Sequence, residues 1–198
     1  PADEITFHPQ LSAFQWASTR MGWSLADTET LTVHGRPAEQ VIPYLASCAR
    51  LLLLTKNEGT PADIARILTS QGYGASQLTV LGALGGPNES RIDGTAADWE
   101  AEAPAFHLLA VEVLADDDAT LIPRGPGLPD DAFAHDGKMT KQEVRAATLA
   151  KLWPRRKAML WDIGSGCGSV AIEWMRAARD AEAIGLEPNA KRRALAQE

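Results

Sequence analysis

"WDIGSGCGSV", residues 161–170, places three glycines within five positions, directly after a short apolar run. Glycine contributes no side-chain packing and loses more chain entropy on folding than other residues, so this pattern indicates that bare backbone is needed there. The preceding run "AMLWDIG" predicts a buried strand, and the following "SVAIEWMRAARD" predicts a helix. A second predicted strand, "AEAIGLE", ends at Glu187. This order of elements is typical of the first half of a nucleotide-binding α/β unit.

Each glycine of the loop has an expected role in such a unit. Gly164 permits a sharp turn out of the strand, and Gly166 lets a ligand lie against the backbone. Gly168 lets the helix pack close to the strand. Glu187 follows Gly164 by 23 positions, where its carboxylate can accept hydrogen bonds from the two hydroxyls of a ribose.

The spacing of the glycines discriminates between nucleotides. The dinucleotide pattern G-x-G-x-x-G requires a third glycine at position 169, which is Ser169 here. G-x-G-x-G preceded by Asp-Ile is instead the pattern of class I S-adenosylmethionine-dependent methyltransferases. Asp162 then stands where its carboxylate can meet the ammonium group of the methionine. Cys167 is interpreted as a small side chain and not as a nucleophile, and a glycine-rich loop that binds nothing is the structural alternative.

Composition excludes several classes of function. The net charge of −7 and the pI of about 5.1 argue against a general binder of nucleic acids or membrane surfaces. Two cysteines far apart and four scattered histidines indicate neither a disulfide framework nor a metal site, so no metal is expected. A reducing, cytoplasmic location fits this cysteine usage.

The rest of the chain predicts a mixed α/β architecture, because helices and strands alternate. Before residue 115, helices are expected at "SAFQWASTRM", "PAEQVIPYLASC" and "TPADIARILTSQG", with Thr60 as the cap of the last, and a short one at Thr95–Trp99. Strands are expected at "TETLTVHG", "ARLLLLT", "QLTVLGAL" and "FHLLAVEVL", with a turn at "GGPNES". Residues 115–138 are rich in Asp, Pro and Gly and are interpreted as a linker. After the linker, Thr140 and Glu143 form a predicted capping box that opens a helix to about Trp153.

Longer stretches carry a family resemblance. "GLPDDAFAHDGKMTKQEVRAATLAKL" followed by "LWDIGSGCGSVAIEWMRA" resembles the C-terminal, decarboxylating unit of the precorrin-6Y C5,15-methyltransferase family of cobalamin biosynthesis. "LTVHGR", "LLLLTKNEGTPADIARILTSQGYG", "LTVLGALGGPNESRIDGTAADW" and "HLLAVEV" resemble the second half of a tetrapyrrole methylase domain. The resemblance implies that residues 1–114 are the C-terminal half of that domain. It implies that residues 139–198 begin a Rossmann-like class I methyltransferase domain.

The resemblance also implies a reaction and its ligands. Precorrin, a tetrapyrrole, is methylated at C5 and C15 with methyl groups from S-adenosylmethionine, and the C12 acetate loses CO2. No catalytic residue is identified. Cofactor contacts are implied for Thr140, Asp162, Gly164, Ser165, Gly166, Cys167, Gly168 and Glu187. Substrate contacts are implied for His34, Arg36 and Lys56.

Other interpretations of these residues and of the whole chain stay open at this point. Thr140 can simply cap a helix, and Arg36 can be a solvated loop arginine. The chain as a whole can be a nicotinamide-dependent oxidoreductase, or a non-catalytic fragment that contributes only an interface. A homo-oligomer is expected.

Overall fold

The computed structural model describes residues 6–117, 119, 122 and 125–197, so part of the predicted linker and residues 1–5 and 198 lie outside the described residues. The chain divides into two compact units, Pro1–Leu121 and Ile122–Glu198. Their boundary falls inside segment 115–138. The expected mixed α/β architecture is confirmed.

The N-terminal unit is built on one five-stranded mixed sheet. Its helices are α1 (Ala13–Met21) and α2 (Thr60–Ser70), with 3-10 helices at Leu25–Asp27 and Ala38–Tyr44. Its strands are β1 (Glu29–Thr32), β2 (Arg50–Leu54), β3 (Gln77–Gly82), β4 (Ser90–Thr95) and β5 (His107–Glu112). The strand order is β1-β2-β5-β3-β4, in which β1 and β2 are parallel and the other pairs are antiparallel.

Strand β2 explains why this sheet has a core on both faces. Leu51 and Leu53 point to one face and pack with Ile64 and Leu68 of α2. Leu52 points to the other face, in a cluster with Ala17 of α1. All of these side chains are essentially fully buried. A strand covered on both faces has a continuous apolar run, which here is "LLLL", residues 51–54.

The C-terminal unit has a parallel strand pair with helices before, between and after it. Its elements are a 3-10 helix at Asp130–Ala132, α3 (Gln142–Leu152), β6 (Met159–Ile163), α4 (Ser169–Ala177), β7 (Glu182–Leu186) and α5 (Ala190–Leu195). Strand β6 runs parallel to β7, from Met159 opposite Glu182 to Ile163 opposite Leu186. Their carboxyl ends therefore lie at the same edge of the sheet.

Two predicted caps are wrong. Helix α3 begins at Gln142, and its N-cap residue Lys141 makes no side-chain cap. The predicted capping box at Thr140 does not form, and the backbone oxygen of Thr140 accepts a hydrogen bond from the Arg145 side chain. Thr60 is the first residue of α2 rather than its cap, and its hydroxyl accepts from the amides of the preceding turn, Lys56 and Asn57.

Three other local predictions differ from the structure. The helix predicted after Pro37 is a 3-10 helix, because Pro43 inside it cannot donate an α-helical hydrogen bond. The short helix at Thr95–Trp99 is absent from this described stretch, and the Thr95 hydroxyl instead donates to Asp98. Strand β4 was not predicted, since Ile92 is its only large apolar residue and it lies at the sheet edge.

Candidate cofactor site

The glycine loop joins β6 to α4 through a backbone that favours glycine. Gly164, Gly166 and Gly168 have φ values of +81°, +59° and +78°, a region that residues with a Cβ rarely adopt. A Cβ on Gly164 would meet nothing within 4 Å, and one on Gly166 would meet only the Lys138 carbonyl oxygen at 4.0 Å. The loop therefore presents open backbone on this side.

Gly168 differs from the other two glycines. A Cβ there would lie 3.3 Å from the Cβ of Ala196, just after α5. The close approach at this position is therefore to the chain after α5, whereas the sequence predicted an approach of the helix to its strand. Gly168 is also the N-cap residue of α4.

Glu187 lies next to the glycine loop, immediately after β7. Its Oε2 accepts a hydrogen bond of 2.9 Å from the amide of Gly166, and its Oε1 accepts one of 2.8 Å from the amide of Asn189. These bonds from Asn189 and Gly166 lower the pKa of Glu187 below its usual value. Each carboxylate oxygen accepts one of these bonds and keeps capacity for another.

Asp162 adds a second carboxylate behind the loop. Among the residues the structure describes, its buried Oδ2 has no hydrogen-bond partner. Burial raises the pKa of this carboxyl, and a hydrogen bond from the amide of Ala171, in the first turn of α4, opposes the rise. An unpaired buried acceptor is costly, and a cationic donor from a ligand would satisfy it.

These groups surround a cavity of about 390 Å³, within the range of small-molecule sites. The cavity is lined by Lys138, Met139, Thr140, Asp162, Gly164, Ser165, Gly166, Cys167, Ser169, Val170, Glu187 and Arg192. The structure thus brings together every cofactor contact implied by the sequence except Gly168, which lies outside this lining.

Five lining residues were not predicted: Lys138, Met139, Ser169, Val170 and Arg192. Lys138 and Met139 directly precede Thr140, and Ser169 and Val170 directly follow the glycine loop. Their position beside predicted site residues was the only sequence signal for them. Arg192 comes from α5, and its guanidinium donates to Asp136 at 2.8 Å. No sequence pattern indicated that pairing.

The implied substrate residues lie in the N-terminal unit. His34 and Lys56 are exposed and each stands two residues after the end of a strand, β1 or β2. Because these strands are parallel, both residues lie at the same edge of the sheet. Arg36 is exposed nearby in sequence. Their contact with a substrate stays a prediction.

Within the described part of the chain, no cluster of three or more His, Cys, Asp or Glu side chains is suited to a metal ion. No helix in those residues has the length and apolarity to cross a bilayer.

Comparison with known proteins identifies relatives. A model of the precorrin methyltransferase domain matches residues 131–198. A decarboxylating precorrin-6Y C(5,15)-methyltransferase of Sinorhizobium sp. is 44% identical over 192 residues, covering 96% of this chain and 46% of that protein. The chain is homologous to the precorrin-6Y C(5,15)-methyltransferases. The predicted resemblance to this family is confirmed.

Two further proteins of the same name are similar to this chain. The decarboxylating precorrin-6Y C(5,15)-methyltransferase of Mycobacterium tuberculosis is 38% identical over 196 residues, 96% of this chain and 48% of that protein. A crystal structure of the C-terminal domain of precorrin-6Y C5,15-methyltransferase from Rhodobacter capsulatus is 51% identical, with a TM-score of 0.37, over 38% of this chain and 40% of that one. The chain spans about half the length of the curated relatives it matches.

The unpaired Asp162 carboxylate generates a pH-dependent prediction. The folded-state pKa of Asp162 is raised above its unfolded-state pKa, so ionisation favours the unfolded state. The resulting loss of stability begins as the pH rises through the unfolded-state pKa and is complete above the folded-state pKa. Asp162→Asn removes that charge and keeps an acceptor for the Ala171 amide. We expect Asp162→Asn to be more stable than wild type at pH 7 by about 1 kcal/mol, with the gain shrinking towards pH 3. Urea denaturation at both pH values measures this.

Asp131→Asn is the matched control, because Asp131 is exposed in the same unit. It should change stability by less than about 0.5 kcal/mol. A loss of stability in Asp162→Asn at pH 7, or a gain that grows as the pH falls, contradicts the account of Asp162.

Proposed function

We propose that this chain is part of an S-adenosylmethionine-dependent methyltransferase that methylates precorrin at C5 and C15 and decarboxylates its C12 acetate during corrin synthesis. The observation that carries the proposal is the hydrogen bond between Glu187 and the Gly166 amide beside the 390 Å³ cavity. That bond joins a carboxylate to a loop of bare backbone at one sheet edge. Homology over 96% of the chain supports the substrate class.

The residues present fit the proposed cofactor. Glu187 is proposed to bind the ribose hydroxyls with the acceptor capacity that its two backbone bonds leave free. Asp162 has an unpaired Oδ2 that an ammonium group would satisfy. Gly164 and Gly166 leave room for close approach, because a Cβ on Gly164 would meet nothing within 4 Å and one on Gly166 would meet only the Lys138 carbonyl oxygen, at 4.0 Å. Thr140, Ser165 and Cys167 complete the proposed wall.

The proposed chemistry depends on positioning more than on acid–base residues. When bound, S-adenosylmethionine supplies a methyl group already activated by its sulfonium. The chain's task is then to hold the donor and an electron-rich ring carbon in line, which can supply roughly 7–11 kcal/mol of the barrier. A shaped cavity that excludes water also favours decarboxylation, because the electron pair left behind delocalises into the macrocycle. The catalytic residues stay unidentified.

The two units would divide the work. We assign C15 methylation and decarboxylation to residues 139–198, as the start of a class I methyltransferase domain. Residues 1–114 are assigned to C5 methylation, as the C-terminal half of a tetrapyrrole methylase domain joined through linker 115–138. His34, Arg36 and Lys56 are proposed to meet substrate carboxylates, since they are basic and follow strand ends of one sheet.

The remaining expectations belong to the same proposal. The enzyme is proposed to work as a homo-oligomer in the cytoplasm, where its two free cysteines, Cys48 and Cys167, stay reduced. A nicotinamide-dependent oxidoreductase has no support, because the relatives are named methyltransferases and Ser169 replaces the third glycine of the dinucleotide pattern. A non-catalytic fragment that contributes only an interface is separated from an enzyme by the tests below.

The first test is ligand binding. Calorimetric titration of the full-length protein should show binding of S-adenosylhomocysteine and none of NAD. Glu187→Gln should raise the Kd about tenfold or more, since a hydrogen bond to a charged group contributes about 1.5–3 kcal/mol. Glu182→Gln, exposed at the opposite end of β7, should bind like wild type. Binding of NAD alone, or an unchanged Kd in Glu187→Gln, overturns the site assignment.

The second test is turnover. Full-length protein incubated with precorrin-6Y and methyl-labelled S-adenosylmethionine should transfer about two methyl groups and release about one CO2 per substrate, as two methylations and one decarboxylation require. Mass spectrometry and trapped CO2 measure both quantities. Binding of the cofactor analogue without any methyl transfer favours the non-catalytic alternative.

A further inference from the structure

A buried ion pair lies behind the cavity, outside the residues that line it. The Arg145 side chain of α3 is 0% exposed and that of Glu173 in α4 is 2% exposed. The Arg145 Nε donates to the Glu173 Oε1 at 2.5 Å. Taking two charges out of water is expensive, so a buried pair with a purely structural role is often replaceable by apolar residues. Its backbone partners indicate a more specific role.

Both charged groups hold the backbone of one segment, residues 127–140, which we call the strap. Glu173 accepts hydrogen bonds from the amides of Gly127 at 2.5 Å and Leu128 at 3.0 Å. Arg145 donates to the backbone oxygens of Leu128 and Thr140, the latter at 2.5 Å. The pair therefore binds the strap at both of its ends.

Two side chains of the strap also contact Arg145. Its guanidinium donates to the Asp130 carboxylate at 3.1 Å. It also lies over the ring of Phe133, 4.7 Å from the centroid. A planar guanidinium with donors at fixed angles can serve all of these partners at once, whereas a lysine ammonium cannot.

The far end of the strap is a wall of the cavity. Lys138, Met139 and Thr140 line it, and the Lys138 carbonyl oxygen is the nearest atom to the space beside Gly166. Arg145 thus contacts the backbone of Thr140 from behind, while Thr140 faces the cavity in front.

We propose that Arg145 and Glu173 are positioning residues, which hold the strap and thereby set the width of the cofactor cavity at residues 138–140. This inference rests on the proposed function for what the cavity binds. The holding of the strap itself does not depend on that function. The two parts can therefore be tested separately.

The experiment uses the full-length protein with Arg145→Lys and the double variant Arg145→Met/Glu173→Leu. The double variant replaces the pair by apolar side chains of similar size, so the fold can survive while the strap loses its partners. Circular dichroism verifies folding of each variant. Hydrogen exchange without ligand then reports on the strap, and calorimetry reports the Kd for S-adenosylhomocysteine.

We expect exchange in residues 127–141 to accelerate at least tenfold in both variants, while exchange in β6 and β7 stays close to wild type. The Kd for S-adenosylhomocysteine should rise about tenfold. Arg156→Lys is the matched control, because Arg156 pairs with Asp180 at the surface, at 3.2 Å. It should change neither quantity.

Each outcome decides a separate claim. Unchanged exchange in residues 127–141 overturns the positioning role, and so does faster exchange with an unchanged Kd. If wild type fails to bind S-adenosylhomocysteine, the proposed function fails while the exchange data still decide whether the pair holds the strap. If Arg145→Lys does not fold, the double variant and Asp130→Ala, which removes the one carboxylate of the strap that Arg145 bonds, supply the same comparison.

Discussion

The hydrogen bond from the Gly166 amide to the Glu187 carboxylate is the interaction on which the site depends. It requires β6 and β7 to be parallel and adjacent, so that the loop after one and the residue after the other meet at one edge. It also requires a left-handed backbone at Gly166. Both requirements come from a strand–helix–strand unit whose helix begins immediately after the glycines. The cavity is a consequence of that arrangement.

Much of the site was predictable from the sequence because its signals are local. The loop between Gly164 and Gly168 and the acidic residue at the end of the next strand have fixed spacings that follow from the geometry of the unit. The short apolar run of β2 likewise predicts a buried strand. Alternation of helices and strands was sufficient for the mixed α/β class.

What escaped prediction depends on contacts between distant residues. Arg145 and Glu173 are separated by 28 positions, and both look like ordinary surface charges on their helices. The same Arg145 donates to the Thr140 carbonyl oxygen, a contact that the capping-box pattern at Thr140 did not indicate. The composition of segment 115–138, which predicts a linker, gave no sign that Gly127 and Leu128 are bonded to α3 and α4. A composition rich in Asp, Pro and Gly cannot distinguish a free linker from a segment held by buried charges.

Several large apolar side chains of the β6–β7 sheet are exposed, among them Trp161 at 62% and Ile163 at 80%. An isolated pair of strands is marginally stable at best, and the chain spans about half the length of its relatives. Trp161 and Ile163 lie two positions apart on β6, so both belong to one exposed face of the strand pair.

The most direct measurement is a crystal structure of the full-length protein with S-adenosylhomocysteine. We expect the ligand in the cavity, with its ribose hydroxyls bonded to Glu187 and its ammonium group bonded to Asp162. A ligand bound elsewhere, with the Glu187 carboxylate contacting only Gly166 and Asn189, would contradict it.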